Sequence, residues 1–189
     1  MIAAPKLAGA HGGSGTLASA GMTPTLPTSP AAMLEALTAL GIDHTTQEHA
    51  AVATVEEAKR LRGALDGWHT KNLFVKDKRA QFWLITARAD IAVDLNRLAK
   101  TVGGKRFTFG STEAMIEVLG VLPGSVTPLA LYNDRHAKRV RFIVDQPLFD
   151  GQPIHMHPLT NTMTTALSPV GFERFLAATG HEVMRLDLA

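Results

Sequence analysis

One uncharged loop, residues 119–129, has the composition of a site that presents backbone groups rather than side chains. It contains two glycines and two prolines among apolar residues, in the order Leu-Gly-Val-Leu-Pro-Gly-Ser-Val-Thr-Pro-Leu. Pro123 and Pro128 lack a backbone N–H and hold φ near about −65°, whereas Gly124 can adopt backbone angles closed to other residues. The loop predicts either an ordinary turn between a helix and a strand or a rigid cradle of N–H donors.

Three further residues could take part in chemistry beside such a loop. Lys71 stands at the mouth of a predicted strand and could offer a point charge to a phosphate, although most lysines are solvated surface charges. His157 begins a run rich in hydroxyl and amide groups, which suits either a hydrogen-bonded structural histidine or the wall of a small polar pocket. His155 and His157 could share one face of a strand, but a metal centre needs more ligands than the sequence places, so we predict no metal and no cofactor.

Composition excludes several classes of chemistry. The 189 residues include no cysteine, which rules out disulfides and thiolate catalysis and fits a reducing, cytoplasmic setting. The sequence has no G-x-S-x-G, H-E-x-x-H, P-loop or dinucleotide-binding motif. A net charge of +2, from 19 basic and 17 acidic residues, predicts no strongly electropositive coat but leaves room for a local basic patch. No apolar run is long enough to predict a membrane span.

The chain divides into a tail and one domain. Residues 1–29 are rich in Gly, Ala, Ser, Thr and Pro, a composition that predicts a disordered tail. Met22 is a second possible start of translation. Residues 30–189 form the predicted domain, because 46% of the chain is hydrophobic and only 19% is charged.

Within this domain, helices and strands alternate, and hairpins outnumber clear crossover units. This pattern predicts an α+β fold with a mixed, mainly antiparallel sheet surrounded by helices. Capping signals and apolar periodicity predict helices that begin after Ser29 and Ser168, together with helices over residues 54–61, 95–102 and 111–119. Strands are predicted over residues 42–49, 71–77, 81–87, 107–109, 129–132, 140–144, 154–158, 161–166 and 182–188, with a loop over 63–70 and a turn over 147–151.

Three segments in a fixed order carry a resemblance to a known family. They are Lys-Asn-Leu-Phe at 71–74, the Gly/Pro loop at 119–128, and His-Pro-Leu-Thr-Asn-Thr at 157–162. With these segments the chain resembles the bacterial prolyl-tRNA editing superfamily, which contains the editing insertion of prolyl-tRNA synthetases, YbaK-type Cys-tRNA(Pro) deacylases and free-standing Ala-tRNA(Pro) deacylases. The likeness covers about residues 30–189 and is closest to the last group, also called ProX or PrdX-like proteins.

The resemblance implies an enzyme that hydrolyses the ester between a mischarged amino acid and the 3′ adenosine of tRNA(Pro). It implies that Lys71 contacts the terminal phosphate, that the backbone of the G-x-x-x-P loop from Gly124 orients the aminoacyl carbonyl, and that His157 lies near the amino-acid pocket. It also implies that the 2′-hydroxyl of the substrate and a positioned water complete the reaction, so no general base is nominated. The substrate-binding residues that it implies are Asn72, Ser125, Val126, Thr127, Pro128 and Asn161.

The partners and alternatives follow from the same resemblance. The expected partner is the acceptor end of a mischarged tRNA, with prolyl-tRNA synthetase and the elongation factor as further candidates and no membrane. The surface cations at Arg60, Arg62, Lys76, Lys78, Arg79, Lys100, Lys105 and Arg106 are candidates for phosphate contacts. Two alternatives stay open: a deacylase for Cys-, Ser- or Thr-tRNA, and a non-catalytic module that binds tRNA or a synthetase.

Overall fold

The computed structural model describes residues 24–50 and 65–189. The predicted tail up to residue 23 and the predicted helix over 54–61 lie outside these residues. The described chain contains the α-helices α1 (Pro30–Ala39), α2 (Leu95–Thr101), α3 (Thr112–Ala114), α4 (Leu131–Asp134) and α5 (Pro169–Thr179). Its strands are β1 (His44–Glu48), β2 (Trp68–Lys76), β3 (Phe82–Arg88), β4 (Thr108–Phe109), β5 (Val140–Asp145), β6 (Ile154–Met156), β7 (Met163–Leu167) and β8 (Val183–Leu186).

The described strands join one mixed sheet in the order β1-β7-β6-β2-β3-β5-β8, with β4 paired to β2. Four pairings are antiparallel, namely β1 with β7, β7 with β6, and β2 with both β3 and β4. The pairs β2–β6, β3–β5 and β5–β8 are parallel. The predicted α+β fold with a mixed sheet is therefore confirmed, and β2 lies at its centre.

Helices cover both faces of this sheet because the strands alternate apolar residues between two cores. On one face, α1 and α5 pack against β3 and β5 through side chains that are almost fully buried, among them Met33, Leu37, Leu84, Phe142, Phe172 and Phe175. On the other face, α2 packs through Leu98 and Ala99. Ser29 and Ser168 cap α1 and α5 as the sequence predicts, each followed by proline at the first helical position.

Three predicted elements differ from those in the structure. Residues 129–132 form no strand: a 3-10 helix over Pro128–Ala130 leads directly into α4. Short apolar runs do not reveal their period, and here Thr127 caps the turn while Pro128 starts it. The predicted loop over 63–70 ends at Trp68, where β2 begins by pairing with β6. The predicted turn over 147–151 is instead the 3-10 helix Gln146–Phe149.

A buried carboxylate, Asp134, holds the end of α4 to the start of β5. Its Oδ2 accepts hydrogen bonds from the backbone N–H of Val140 at 2.8 Å and from Nε2 of His181 at 3.2 Å. Burial alone would raise the pKa of the Asp134 carboxyl, but the bonds from His181 and from the N–H groups of Val140 and Arg139 outweigh it and lower that pKa below its ordinary value.

This pKa shift predicts how the stability depends on pH. The unfolded carboxyl has a pKa of about 3.9, so with a lower folded pKa its stabilisation is complete above about pH 5 and is lost as the pH falls through the folded pKa. We expect Asp134→Asn to lower the free energy of unfolding at pH 7 by about 1–3 kcal/mol, because the substitution removes the charge from a hydrogen-bonded network. Urea unfolding of both proteins should show this difference shrinking below about pH 4. A difference that stays constant down to pH 3 would contradict the assignment.

Candidate active site

The Gly/Pro loop begins where a helix ends in a left-handed residue. Helix α3 continues as a π-helix over Met115–Leu119, and Gly120 ends it with φ +63°. The side chain of Asn133 on the next helix fixes this end, because its Nδ2 donates to the carbonyl of Leu119 at 2.8 Å. Thr28 donates in turn to Oδ1 of Asn133 at 2.7 Å. The entrance of the loop is thus anchored by side chains from two distant segments.

The centre of the loop is a tight turn. The N–H of Ser125 donates to the carbonyl of Leu122 at 3.0 Å, and Gly124 has φ +85°. Proline at the second position and a positive φ at the third match a type II turn, which calls for glycine at the third position. Gly124 is therefore required by the backbone, and it lies exposed at the tip of the turn.

The second half of the loop is held by the core. Thr127 is extended, with φ −153°, and its Oγ1 accepts from the N–H of Leu129 at 3.3 Å. Thr127, Pro128 and Leu129 are buried, and Val126 packs against the core of the first face. Because one end is capped and the other is buried, the five residues from Gly124 to Pro128 form a rigid frame.

Some backbone donors in this frame are unused. Among the described residues, the N–H groups of Gly124 and Val126 donate no hydrogen bond within the protein. Gly124 is exposed and Val126 is only half-buried. These N–H groups are thus available to bind an oxygen atom of a ligand.

The turn between β6 and β7 lies against the tip of the loop. A Cβ atom on Gly124 would lie 3.4 Å from Nδ2 of Asn161. Nδ1 of His157 donates to the carbonyl of Met163 at 3.0 Å, which closes this turn. Leu159 within it has φ +65°. The structure thus brings together the Gly124 and Asn161 that the sequence places 37 positions apart.

Lys71 lies on β2, and His157 directly follows the end of the neighbouring strand β6. Strands β2 and β6 run parallel, with Trp68 opposite Ile154 and His69 opposite His155, so Lys71 and His157 each follow this pairing by two residues. Thr70 ties the strands together here, since its Oγ1 donates to the carbonyl of His155 at 2.9 Å. Lys71 forms no ion pair and no side-chain hydrogen bond with other described residues, including those of the loop.

Asn72 is positioned by a residue that the sequence analysis does not identify. The hydroxyl of Thr86, its antiparallel partner on β3, donates to Oδ1 of Asn72 at 2.8 Å. This bond uses the carbonyl end of the Asn72 amide, so its NH₂ group is the end that can donate to a ligand. No local sequence pattern marks Thr86, because the contact depends on the register of β2 and β3.

The first histidine of the His-x-His pair, His155, has a structural environment. The His155 ring stacks on His69 with 4.6 Å between ring centroids. Nε2 of His155 lies 2.8 Å from the backbone carbonyl of Asp66 and donates to it. In the part of the chain that the structure describes, no three His, Asp or Glu side chains converge as metal ligands.

Comparison with known proteins bears on what such a site does. The family model of the aminoacyl-tRNA editing domain matches residues 49–175. The chain belongs to the aminoacyl-tRNA editing domain family. The match contains the whole of both loops that form the candidate site.

Relatives across this editing family cover most of the chain. The Prolyl-tRNA synthetase associated domain-containing protein 1 of Bos taurus is 40% identical, over 83% of this chain and 94% of its own length. The Prolyl-tRNA editing protein ProX of Acetoanaerobium sticklandii is 30% identical, over 83% of this chain and 96% of its own length. The Multifunctional Ser/Thr-tRNA deacylase ProXp-y of Escherichia coli is 28% identical, over 58% of this chain and 65% of its own length.

A solved structure shows the same fold. The crystal structure of a candidate trans-editing enzyme for prolyl-tRNA synthetase superimposes with a TM-score of 0.63 at 22% identity, covering 88% of this chain and 98% of that one. In the described residues of this editing domain, no helix is long and apolar enough to cross a membrane.

Proposed function

We propose that this protein is a trans-acting deacylase that hydrolyses mischarged Ala-tRNA(Pro). The observation that carries the proposal is the rigid turn at Gly124, where the N–H groups of Gly124 and Val126 are unused and the Cβ position of Gly124 lies 3.4 Å from Nδ2 of Asn161. Ester hydrolysis develops negative charge on the carbonyl oxygen, and fixed backbone donors stabilise it by about 3 kcal/mol each. Membership of the editing family and a relative named ProX support an aminoacyl-tRNA ester as the substrate.

In this mechanism, the protein orients groups more than it supplies reactive ones. The N–H groups of Gly124 and Val126 bind the ester carbonyl, and the Lys71 ammonium binds the terminal phosphate of the tRNA. Water adds to the carbonyl carbon with help from the substrate's 2′-hydroxyl, and the bond to the 3′ oxygen breaks. The products are free alanine and a tRNA with a free 3′-hydroxyl.

Selection of the amino acid follows from the size of its pocket. The turn that carries His157 and Asn161 is closed by its own hydrogen bonds, and its wall has little freedom to move away from a larger side chain. Such a pocket can exclude proline by steric clash. A synthetase site cannot do the reverse efficiently, since one methylene is worth only about 1–3 kcal/mol. A separate editing enzyme removes the resulting error.

The direct test is hydrolysis of a panel of aminoacyl-tRNAs by the purified protein. We expect Ala-tRNA(Pro) to be deacylated fastest, with Cys-, Ser- and Thr-tRNA slower and Pro-tRNA(Pro) untouched. Faster hydrolysis of Ser- or Thr-tRNA would move the assignment to the activity named for the Escherichia coli relative. Binding of the tRNAs without any hydrolysis would replace the enzyme by a non-catalytic tRNA-binding module.

A further inference from the structure

The turn between β2 and β3 forms one wall of a basic cleft, which shares no lining residue with the loop at Gly124. The basic cleft has a volume of about 360 Å³. It is lined by Lys76, Asp77, Lys78, Ala80, Arg106 and Thr108. Neither the proposed hydrolysis nor its substrate pocket uses these residues.

Positive charge is concentrated around this cleft. Residues 76–80 and 105–108 contain five cations and one acid, a net charge of +4, whereas the whole chain carries +2, so the rest of the chain carries −2. All five cations are exposed, and none forms an ion pair with another described residue. They are Lys76, Lys78, Arg79, Lys105 and Arg106.

The single acidic residue of the cleft, Asp77, is hydrogen-bonded to the backbone of the turn between β2 and β3. Asp77 is buried, and its Oδ1 accepts from the N–H groups of Arg79 at 2.8 Å and Gln81 at 3.1 Å. Its carboxylate therefore shapes the hairpin and forms no ion pair with the neighbouring cations.

The two walls of the cleft are bonded to each other. The N–H of Lys78 donates to the carbonyl of Lys105 at 2.9 Å, and the hydroxyl of Thr108 donates to the carbonyl of Lys76 at 3.3 Å. Ala80 and Arg106 have φ +61° and +44°, a conformation that non-glycine residues rarely adopt. The cations are thus mounted on a fixed backbone, which favours binding to a partner with regularly spaced negative charges.

The distance from the candidate active site suggests the partner. Asn72 and Lys76 are four residues apart on β2, which is paired on both sides, so their side chains lie on the same face of the sheet. Four residues of strand span about 13 Å, which is about the length of four stacked nucleotides at 3.4 Å each. A nucleic acid whose 3′ end occupies the active site would therefore place later backbone phosphates at the basic cleft.

We propose that the basic cleft binds the sugar–phosphate backbone of the tRNA acceptor stem while the aminoacylated 3′ end occupies the Gly124 loop. This inference rests on the proposed function for the identity of the RNA. The contacts are to phosphates, so they strengthen binding without reading the base sequence.

The experiment compares two double variants that lose the same charge. Lys78→Gln with Arg106→Gln removes two cations of the cleft, and Arg174→Gln with Arg185→Gln removes two cations from α5 and β8. We expect the cleft variant to raise KM for alanyl-tRNA by about tenfold at 50 mM salt and to reduce the slope of log affinity against log salt by about 2. The control variant should match the wild type on both measures.

A short substrate separates this effect from damage to the active site. Alanyl-CCA trinucleotide is too short to reach the cleft, so both variants should hydrolyse it at the wild-type rate. Loss of trinucleotide hydrolysis by the cleft variant alone, or an equal KM for tRNA in both variants, would overturn the proposal. The proposal would also be overturned if the cleft variant bound tRNA as tightly as the wild type but no longer bound anionic phosphatidylserine vesicles.

Failure of the proposed function can be told apart from failure of the cleft. If the wild type hydrolyses no ester, fluorescence anisotropy with labelled tRNA still compares the three proteins. Weaker tRNA binding by the cleft variant alone would support the basic cleft as an RNA-binding surface even if the protein is not a hydrolase. Equal binding by all three would overturn the surface as well.

Discussion

Gly124→Val is expected to lower kcat for hydrolysis of Ala-tRNA(Pro) by at least about 100-fold while the protein stays folded. The backbone at Gly124 has φ +85°, which a β-branched residue adopts only with strain. The new side chain would also meet Nδ2 of Asn161, which lies 3.4 Å from the Cβ position. Together these effects would displace the N–H groups that we assign to the ester carbonyl. Single-turnover deacylation measures the rate, and circular dichroism with thermal unfolding checks the fold.

Gly103→Val is the matched control for backbone strain. Gly103 also has a positive φ, +68°, at the end of α2, but a Cβ atom there has no neighbour within 4 Å. This variant should show a similar loss of stability with near wild-type activity. If Gly124→Val instead remained fully active, the backbone cradle would have no role in the reaction.

Lys71→Met is expected to reduce kcat/KM for the same substrate by about 10- to 100-fold. Methionine keeps most of the length of the lysine stem and removes its charge. A hydrogen bond to a charged group is worth about 1.5–3 kcal/mol, and each 1.4 kcal/mol is about tenfold. Lys71 has no competing ion-pair partner among the described residues, so its ammonium can meet a phosphate directly.

Steady-state kinetics on alanyl-tRNA distinguish how Lys71 acts. A rise in KM with unchanged kcat would mean that the ammonium binds substrate and transition state equally, whereas a fall in kcat would mean that it acts mainly in the transition state. Lys138→Met, at an exposed position after α4, is the control for loss of one surface charge and should behave as wild type. Full activity of Lys71→Met would remove Lys71 from the mechanism.

Several elements of the fold were predictable because their signals are local. Serine followed by proline marks the starts of α1 and α5, since a capping hydroxyl and a preset φ act within four residues. The rigidity of the Gly/Pro loop follows in the same way from restricted backbone angles. Residues 129–132 show the limit of this approach, because a short apolar run fits a buried strand or a buried helix equally well, and the cap at Thr127 decided the outcome.

The arrangement of the candidate site depends on contacts between distant parts of the chain. Strand β1 pairs with β7 and β2 pairs with β6, so the sheet joins segments more than 80 residues apart. The amide of Asn161 lies against Gly124 because distant segments meet in this fold, and the bond from Thr86 to Asn72 follows from the register of β2 and β3. Strand register is chosen by burial of whole faces, a property that no single segment encodes.

The amino-acid sequence by itself therefore determined the class of this protein: an α+β editing domain with a glycine- and proline-restrained loop. These properties reside in residue types and short spacings, which act through local backbone sterics and capping. Only the tertiary structure decided that Gly124, whose N–H stays unpaired, lies beside Asn161, and that the three cations Lys76, Lys78 and Arg106 from two segments line one basic cleft. Both depend on packing of the whole sheet, because burial over many residues fixes which distant backbone groups and charges become neighbours.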